Sequence, residues 1–339
     1  DVAPLTGENH VLVRHGLKVL TTTDKAGLVA LKMVSDLDNK VSARSVGFAL
    51  APRLNAAGRM GKADSGFHLL TSVDLKEAKE LAERIDVINQ ERKNIQGQVQ
   101  EEAEYLISRE INLEEDRVIV LASKNFHSGV IGIVASRIVE KYFRPVVLIA
   151  LEGLIGKGSG RSIPQFNLHR AFTDCSSHLV QFGGHAYAAG LTIKEENVDL
   201  FRDEIKKVGR QFLSEENLVP EIYIDKKLDI LEINEELYKQ ITLVEPFGSE
   251  NPSPIFLIQS VRISNLKKMG REQNHVRFKA NQHDAKIDAI GFNLAEEFAS
   301  IDLVLNKVDL VCEFQINDWN GGNKLELKIL DLCCSVEKN

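Results

Sequence analysis

The stretch from Leu75 to about Glu110 contains no proline and a single glycine, Gly97. Its apolar residues fall at positions 75, 78, 82, 85, 88, 95, 99, 103 and 106. Steps of mostly three or four place them on one face of a helix. The spacing predicts an amphipathic helix of about 36 residues, roughly 54 Å long at 1.5 Å per residue. A helix of that length bridges domains; the alternative is two ordinary helices meeting near Gly97. A chain of 339 residues has room for two or three domains on either side of such an element.

The two flanks carry different periodicities. Before the helix, Ala26 to Val34 and Ser45 to Leu50 read as helical segments, separated by Asp36 to Lys40. The Asp36-x-Asp38 pair reads as a helix-ending loop and not as a metal site. After the helix, Arg117 to Ala122 and Pro145 to Ala150 are continuous apolar runs around a helical stretch, Val130 to Tyr142. That is the β-α-β rhythm of a buried, mainly parallel sheet. A further helix is expected over Val198 to Leu213. From Glu221 onward the pattern alternates, at Ile222/Ile224, Val261/Ile263, Val276/Phe278, Ile287/Ala289, Leu310/Cys312/Phe314 and Leu325/Leu327/Ile329. Asn317 to Gly322 reads as a hairpin turn between two of these strands. The fold class expected is therefore α/β plus all-β, ending in a small closed or half-open antiparallel barrel.

Composition narrows the function. The chain is 43% hydrophobic and 27% charged, as in an ordinary globular protein, and its longest apolar run, Val146 to Leu151, falls far short of a membrane span. A net charge of −7 argues against coating by nucleic acid through bulk positive charge, but leaves room for a local basic groove. Four cysteines, Cys175, Cys312, Cys333 and Cys334, show neither a CxxC pair nor zinc-site spacing, which suits a reducing cytoplasm. The chain opens at Asp1-Val2 with no Met and no targeting segment, and is expected to be a fragment or a processed product.

Four stretches combine glycine with cations and hydroxyls. Val41 to Lys62 carries Arg44, Arg53, Arg59 and Lys62 with no acid. Phe126 to Gly132 joins a strand to a helix start, where free N–H groups suit an anion. Gly153 to Thr173 carries Lys157, Arg161 and Arg170 with no acid, and Gln181 to Gly190 holds Gly183-Gly184-His185. Each has a plainer explanation. Gly129 and Gly132 permit close packing of helix on strand; His127 and His185 lack a second ligand at helical spacing; Gly183-Gly184 makes a tight turn. Acid-free cationic stretches recurring in a net-acidic chain favour a phosphate-bearing ligand.

These segments also carry a family resemblance. Asp1 to Asn9 (DVAPLTGEN), Pro52-Arg-Leu-Asn-Ala-Ala-Gly-Arg59, His127 to Arg137 (HSGVIGIVASR), Gly160 to Pro164 (GRSIP), Gly183-Gly-His-Ala-Tyr-Ala-Ala-Gly190 and Glu245 to Pro252 (EPFGSENP) together resemble the RecJ family, bacterial single-stranded-DNA-specific exonucleases of the DHH phosphoesterase superfamily. The resemblance covers essentially the whole chain, in order. It implies the end of a DHH domain at 1–74, a connecting helix at 75–110, a DHHA1 domain at 111–217 and an OB-fold domain at 218–339. It further implies a 5′-to-3′ exonuclease that releases mononucleotides with two Mn²⁺ or Mg²⁺ ions, held by Asp and His residues of the DHH domain. Asp1 matches the last Asp of a family metal motif. The Asp-His-His motif is not among these 339 residues, so DNA binding without robust cleavage is the expectation for the chain by itself.

By position, His185, Gly183 and Gly184 resemble the family's substrate-phosphate site. Ser159 and Arg161 resemble its backbone-phosphate contacts, and Arg53 and Arg59 its basic lining; His127 and Ser128 join this set. Arg262, Lys267, Lys268 and Arg271 suit the DNA groove of the OB fold, or form a solvated strand-loop face. Aromatics are only 6% of residues, with Phe256, Phe278 and Trp319 as candidates for base stacking. Single-stranded DNA is the partner implied, with single-stranded-DNA-binding protein and a RecQ-type helicase as family-level expectations and no membrane. The rivals are a DHH phosphoesterase of very short oligonucleotides and a non-catalytic scaffold.

Overall fold

A computed structural model of the chain describes residues 3–37, 41–61, 64–302, 306–317 and 324–335. These form two compact units, one from Leu20 to Glu221 and the other combining the segment through Val19 with the chain from Ile222 onward.

Helix α1 (Gly7–Thr21) lies almost wholly in the segment that belongs to the second unit. The first unit opens with α2 (Ala26–Met33) and a single turn, α3 (Ala43–Ser45). A π-helical turn over Val46–Leu50 then leads straight into α4 (Ala51–Arg59), followed by α5 (Asp64–Thr71). The long segment is one uninterrupted helix, α6 (Leu75–Glu110), capped by Asp74, whose carboxylate accepts the Glu77 N–H at 2.8 Å. Gly97 does not break it. The buried stripe of α6 runs Ala78, Ala82, Ile85, Ile88, Asn89, Arg92, Gln96, Val99, Ala103 and Ile107. Its middle is polar, and there the apolar pattern lapses between 88 and 95. The N-terminal half packs on α2, α4 and α5; the C-terminal half lies over the sheet.

That sheet contains β1 (Ile119–Ser123), β2 (Val146–Glu152), β3 (Ile155–Arg161), β4 (Leu179–Gly184) and β5 (Ala188–Lys194), in spatial order β1-β2-β3-β5-β4. Helix α7 (Ile131–Tyr142) and α6 cover one face; α8 (Leu168–Asp174) and α9 (Val198–Phe212) cover the other. The expected mainly parallel sheet is corrected here: only β1 and β2 run parallel, and the other three pairings are antiparallel. A two-residue loop, Gly153-Leu154, with Gly153 at φ +65°, folds β3 straight back on β2. Strand β3 escaped the hydrophobic pattern because its core face is glycine. Cβ atoms at Gly156, Gly158 and Gly160 would meet Ile149, Leu191 and Leu168 at 2.5–2.6 Å. Those large side chains fill the space that β3 leaves empty.

The second unit is a closed barrel. Strands β7 (Phe256–Met269), β8 (His275–Gln282), β9 (Ala285–Gly291), β11 (Lys324–Cys334) and β10 (Val308–Asn317) pair in that sequence, and β10 returns to β7. The β9–β11 pair alone among these five is parallel. Alternation places Ile258, Val261, Val276, Phe278, Leu310 and Leu327 inside, with Phe298 of α11 (Ala295–Ala299) packed against them. A short β6 (Lys226–Lys227) and α10 (Glu235–Thr242) precede the barrel. The strand expected at Ile222/Ile224 does not form; both residues are exposed, with no core face to bury. The turn expected at Asn317–Gly322 lies outside the described residues after Asn317. All four cysteines are free, and no described helix is long and apolar enough to cross a membrane.

Two glycines of the helical layer should respond oppositely to alanine. A Cβ at Gly97 meets nothing within 4 Å, whereas one at Gly27 would run into the Leu69 carbonyl. Urea denaturation should show Gly97→Ala stabilised by about 0.5–1 kcal/mol and Gly27→Ala destabilised by roughly 1–3 kcal/mol.

Candidate nucleic-acid interface

The alternation of β3 has a second consequence. With its glycines turned to the α8/α9 core, Lys157, Ser159 and Arg161 face the opposite side, toward the start of α7. Arg161 donates to Ser159 Oγ at 3.1 Å and to the Gly160 carbonyl at 2.8 Å. A Cβ on Gly132, in the first turn of α7, would lie 2.9 Å from both the Arg161 guanidinium and Ser159 Oγ. The absence of a side chain at 132 is therefore what lets Arg161 and Ser159 sit against the helix start.

Register extends the site sideways. Ser159 is opposite Gly190 on β5, and Gly190 is opposite Gly183 on β4. Directly opposed residues share a face, so Ser159 is followed across the sheet by two positions with no side chain. A Cβ at Gly183 would touch nothing, and one at Gly190 only the Gly158 carbonyl at 3.7 Å. The result is an exposed glycine floor beside a hydroxyl and a guanidinium. Gly184 ends β4 at φ +139°, where a Cβ would strike Ala188 O and Ala189 Cα at 2.5 Å. The exposed His185 follows at once, its N–H bonded to Ala188 O at 2.8 Å.

The loop between β1 and α7 supplies the rim. His127 Nδ1 accepts the Gly129 N–H at 3.0 Å, which leaves Nε2 as the proton-bearing nitrogen, and Ser128 is exposed beside it. Arg59, at the end of α4, donates to the Gly129 carbonyl at 3.4 Å. Three of the sequence stretches thus meet around Arg161 and Gly129, and the fourth, Gln181 to Gly190, joins them through the sheet register.

Two arginines that sequence reasoning did not single out complete the cluster. Arg92 of α6 is buried at 8% exposure; it donates to Gln96 at 2.9 Å, and its Nε has no hydrogen-bond partner. Arg137 of α7 is exposed and donates to Gln100 at 2.9 Å. Burial, then the charges of Arg59 and Arg137, pull Arg92 below the ordinary arginine range; burial and then Arg59 do the same to Arg161. Among the described residues none of these four arginines is ion-paired with a carboxylate. Like charges gathered without counter-ions favour an anion, and guanidinium forks suit phosphate. The lapse in the α6 apolar stripe was the signal that marked Arg92.

Arg53 is different. Its Nε pairs with Asp86 at 2.8 Å, and its other two nitrogens donate to the Ala49 and Val34 carbonyls at 2.9 Å each. It ties α2, the π turn and α6 together.

On the barrel, Arg262, Lys267, Lys268 and Arg271 are all exposed. The stacking candidates fare otherwise: Phe256 is buried and stacks face to face on Phe314 at 4.4 Å, and Phe278 is buried against Phe298. Both point inward because they occupy the core-facing phase of their strands, so they are corrected to core residues. Trp319 and Asp1 lie outside the described residues. Among the described residues no group of three or more His, Cys, Asp or Glu side chains is placed to hold a metal ion.

Comparison with known proteins agrees with this architecture. Residues 115–210 match the family model of the DHHA1 domain, and residues 224–331 that of the RecJ OB domain. Over 99% of its length the chain is 35% identical to the single-stranded-DNA-specific exonuclease RecJ of Bacillus subtilis, and covers 43% of it.

The chain carries a DHHA1 domain and a RecJ OB domain, and aligns along nearly its whole length with RecJ exonucleases.

The RecJ of Escherichia coli is 32% identical over 97% of this chain, which covers 58% of that protein. A crystal structure of RecJ in complex with Mn²⁺ from Thermus thermophilus superposes with a TM-score of 0.84 at 29% identity, over 98% of this chain and 48% of that one. A second structure of that RecJ holds Mg²⁺. The chain spans about half the length of the RecJ relatives it matches.

The contrast between Arg53 and Arg59 is testable by unfolding. Arg53→Ala leaves Asp86 and two carbonyls without their donor and should lower stability by about 2 kcal/mol. Arg59→Ala should change it by less than about 0.5 kcal/mol, as expected of an exposed side chain. Equal losses would assign both arginines to the scaffold.

Proposed function

We propose that this chain provides the strand-holding surfaces of a single-stranded-DNA-specific 5′-to-3′ exonuclease. The observation that carries the reading is the group of unpaired arginines, Arg59, Arg92, Arg137 and Arg161, beside the glycine floor at Ser159, Gly190 and Gly183. A phosphodiester backbone supplies the missing negative charge, and the floor admits it close to the sheet. Arg161 and Ser159 hold one phosphate; Arg59 and Arg137 hold the approach; Arg92 lends its charge from beneath. His127, Ser128 and His185 stand at the rim as further donors, His185 next to the Gly183-Gly184 backbone at the phosphate of the 5′ end. Arg53 supports this set by fixing α4.

The division of labour follows the domain reading. Residues 1–74 belong to the nuclease domain, 75–110 connect, 111–217 grip the backbone, and 218–339 bind single strands through the OB barrel, with Arg262, Lys267, Lys268 and Arg271 lining its groove. Two divalent ions, Mn²⁺ or Mg²⁺, supply the hydrolytic chemistry by activating water and neutralising charge at the scissile phosphate. Asp1 is a candidate ligand, and among the described residues no group of three or more His, Cys, Asp or Glu side chains is placed to hold a metal ion. The part played by this chain's own side chains is to bind and orient the strand.

Fluorescence anisotropy of a labelled single strand, titrated at several salt concentrations, tests the reading. Arg161→Ala should weaken binding and lower the slope of log K against log salt by about 0.7 to 1, the value for one lost phosphate contact. An unchanged slope would remove Arg161 from the phosphate path.

A further inference from the structure

Among its described residues the barrel leaves one large aromatic, Phe292, exposed. Phe292 follows the last residue of β9 and is 47% exposed, while Phe256, Phe278 and Phe298 are buried. The strand register fixes its neighbours. Lys267 is opposite Arg277, Met269 opposite His275, and Arg277 opposite Ile290. These residues share the outer face of the sheet, in alternation with the buried Val276 and Phe278, and Phe292 stands two residues beyond Ile290 on that face.

The ring is held in place. His275 meets it nearly at right angles, with centroids 5.4 Å apart and planes at 72°, a contact that occupies at most one face of Phe292. The backbone behind it is pinned three times: Asn293 N–H donates to His275 Nδ1 at 3.0 Å, Asn274 Nδ2 to Asn293 Oδ1 at 3.0 Å, and Ala295 N–H to the Asn274 carbonyl at 3.2 Å. These bonds lock the tip of the β7–β8 hairpin to the loop that presents Phe292.

The surrounding charge selects the occupant. On the same face Glu326 is paired with Arg277 at 2.8 Å and Asp288 with Lys279 at 3.6 Å; Glu272 at the hairpin tip and Glu296 and Glu297 of α11 are exposed. Lys267, and Arg271 at the hairpin tip, are exposed and have no ion pair among the described residues. A fixed, half-exposed ring on the same face as an unpaired lysine matches a ligand that alternates flat apolar groups with anions. We propose that Phe292, braced by His275, is a stacking platform for an unpaired nucleobase, with Lys267 taking the adjoining phosphate. This rests on the single-strand reading above and adds to it a base-contacting residue on the barrel.

The test compares wild type, Phe292→Ala and Phe292→Trp in the full chain. Anisotropy titrations use a labelled thymidine oligonucleotide of about 20 nucleotides and an abasic strand of equal length and charge. Phe292→Ala should bind the thymidine strand on the order of tenfold more weakly, keep its salt slope and bind the abasic strand as wild type does. Phe292→Trp should retain wild-type affinity. Wild-type affinity of Phe292→Ala for the thymidine strand, or an equal loss on both strands, overturns the platform while leaving the single-strand reading intact. Failure of the wild type to bind either strand overturns that reading and the platform together.

Discussion

The packing of Leu191, Ile149 and Leu168 over the glycines of β3 is the constraint on which the rest of the first unit depends. A strand in mid-sheet ordinarily contributes branched side chains to both faces, because it is buried on both. Here one face has been emptied so that neighbouring side chains reach the backbone. That surrenders conformational freedom in the unfolded chain, at a cost of roughly 0.5–1 kcal/mol per glycine relative to alanine. The return is a thin strand whose polar residues, Ser159 and Arg161, are positioned by a rigid sheet and not by a loop. The same economy of volume recurs at Gly132 and Gly184, so the site is shaped chiefly by positions where side chains are missing.

Charge follows from that shape. Arg161 sits against a helix start and within reach of the Arg59 field, and Arg92, within reach of the same field, is buried and incompletely hydrogen-bonded. An isolated buried cation is unfavourable, and two neighbouring cations, Arg59 and Arg137, make it more so. The surrounding scaffold, with α6 capped at Asp74 and α4 clamped through Arg53, over-determines the arrangement and holds it before any ligand arrives. A preformed cationic site loses little ordering entropy on binding.

Much of this was legible in the sequence, for physical reasons that differ by element. Helix α6 was read to within its observed ends because a helical period runs through about ten turns, with Gly97 the one place where a break stayed open, and the barrel strands were read because alternation against a core is specific. The mixed sheet was misread. Glycine in β3 carries no hydropathy signal, so IGKGSGR stood out only as part of an acid-free cationic stretch while it was forming a strand. Phe256 and Phe278 were misassigned because composition counts aromatics without their phase; Phe292 lies on the outer phase and was overlooked. Arg53 and Arg59 looked alike as charges in one motif, and only the geometry separates a helix clamp from an exposed donor. Arg92 was hidden in a helix whose apolar residues drew the attention.

The π turn at Val46–Leu50 bears on how this motif tolerates change. A bond from the Ala51 N–H to Val46 O spans five residues instead of four, so the turn accommodates one residue more than an α-helix would. Removing a single residue there would let the segment relax into continuous α-helix with the downstream residues close to their present phase, so that Arg53 stays near Asp86 and Arg59 near Gly129. Removing one from the regular turns of α4 after Arg53 would instead turn everything downstream by about 100° and carry Arg59 off Gly129. The motif thus tolerates a deletion at its π turn and not one turn later, even where every side chain is kept.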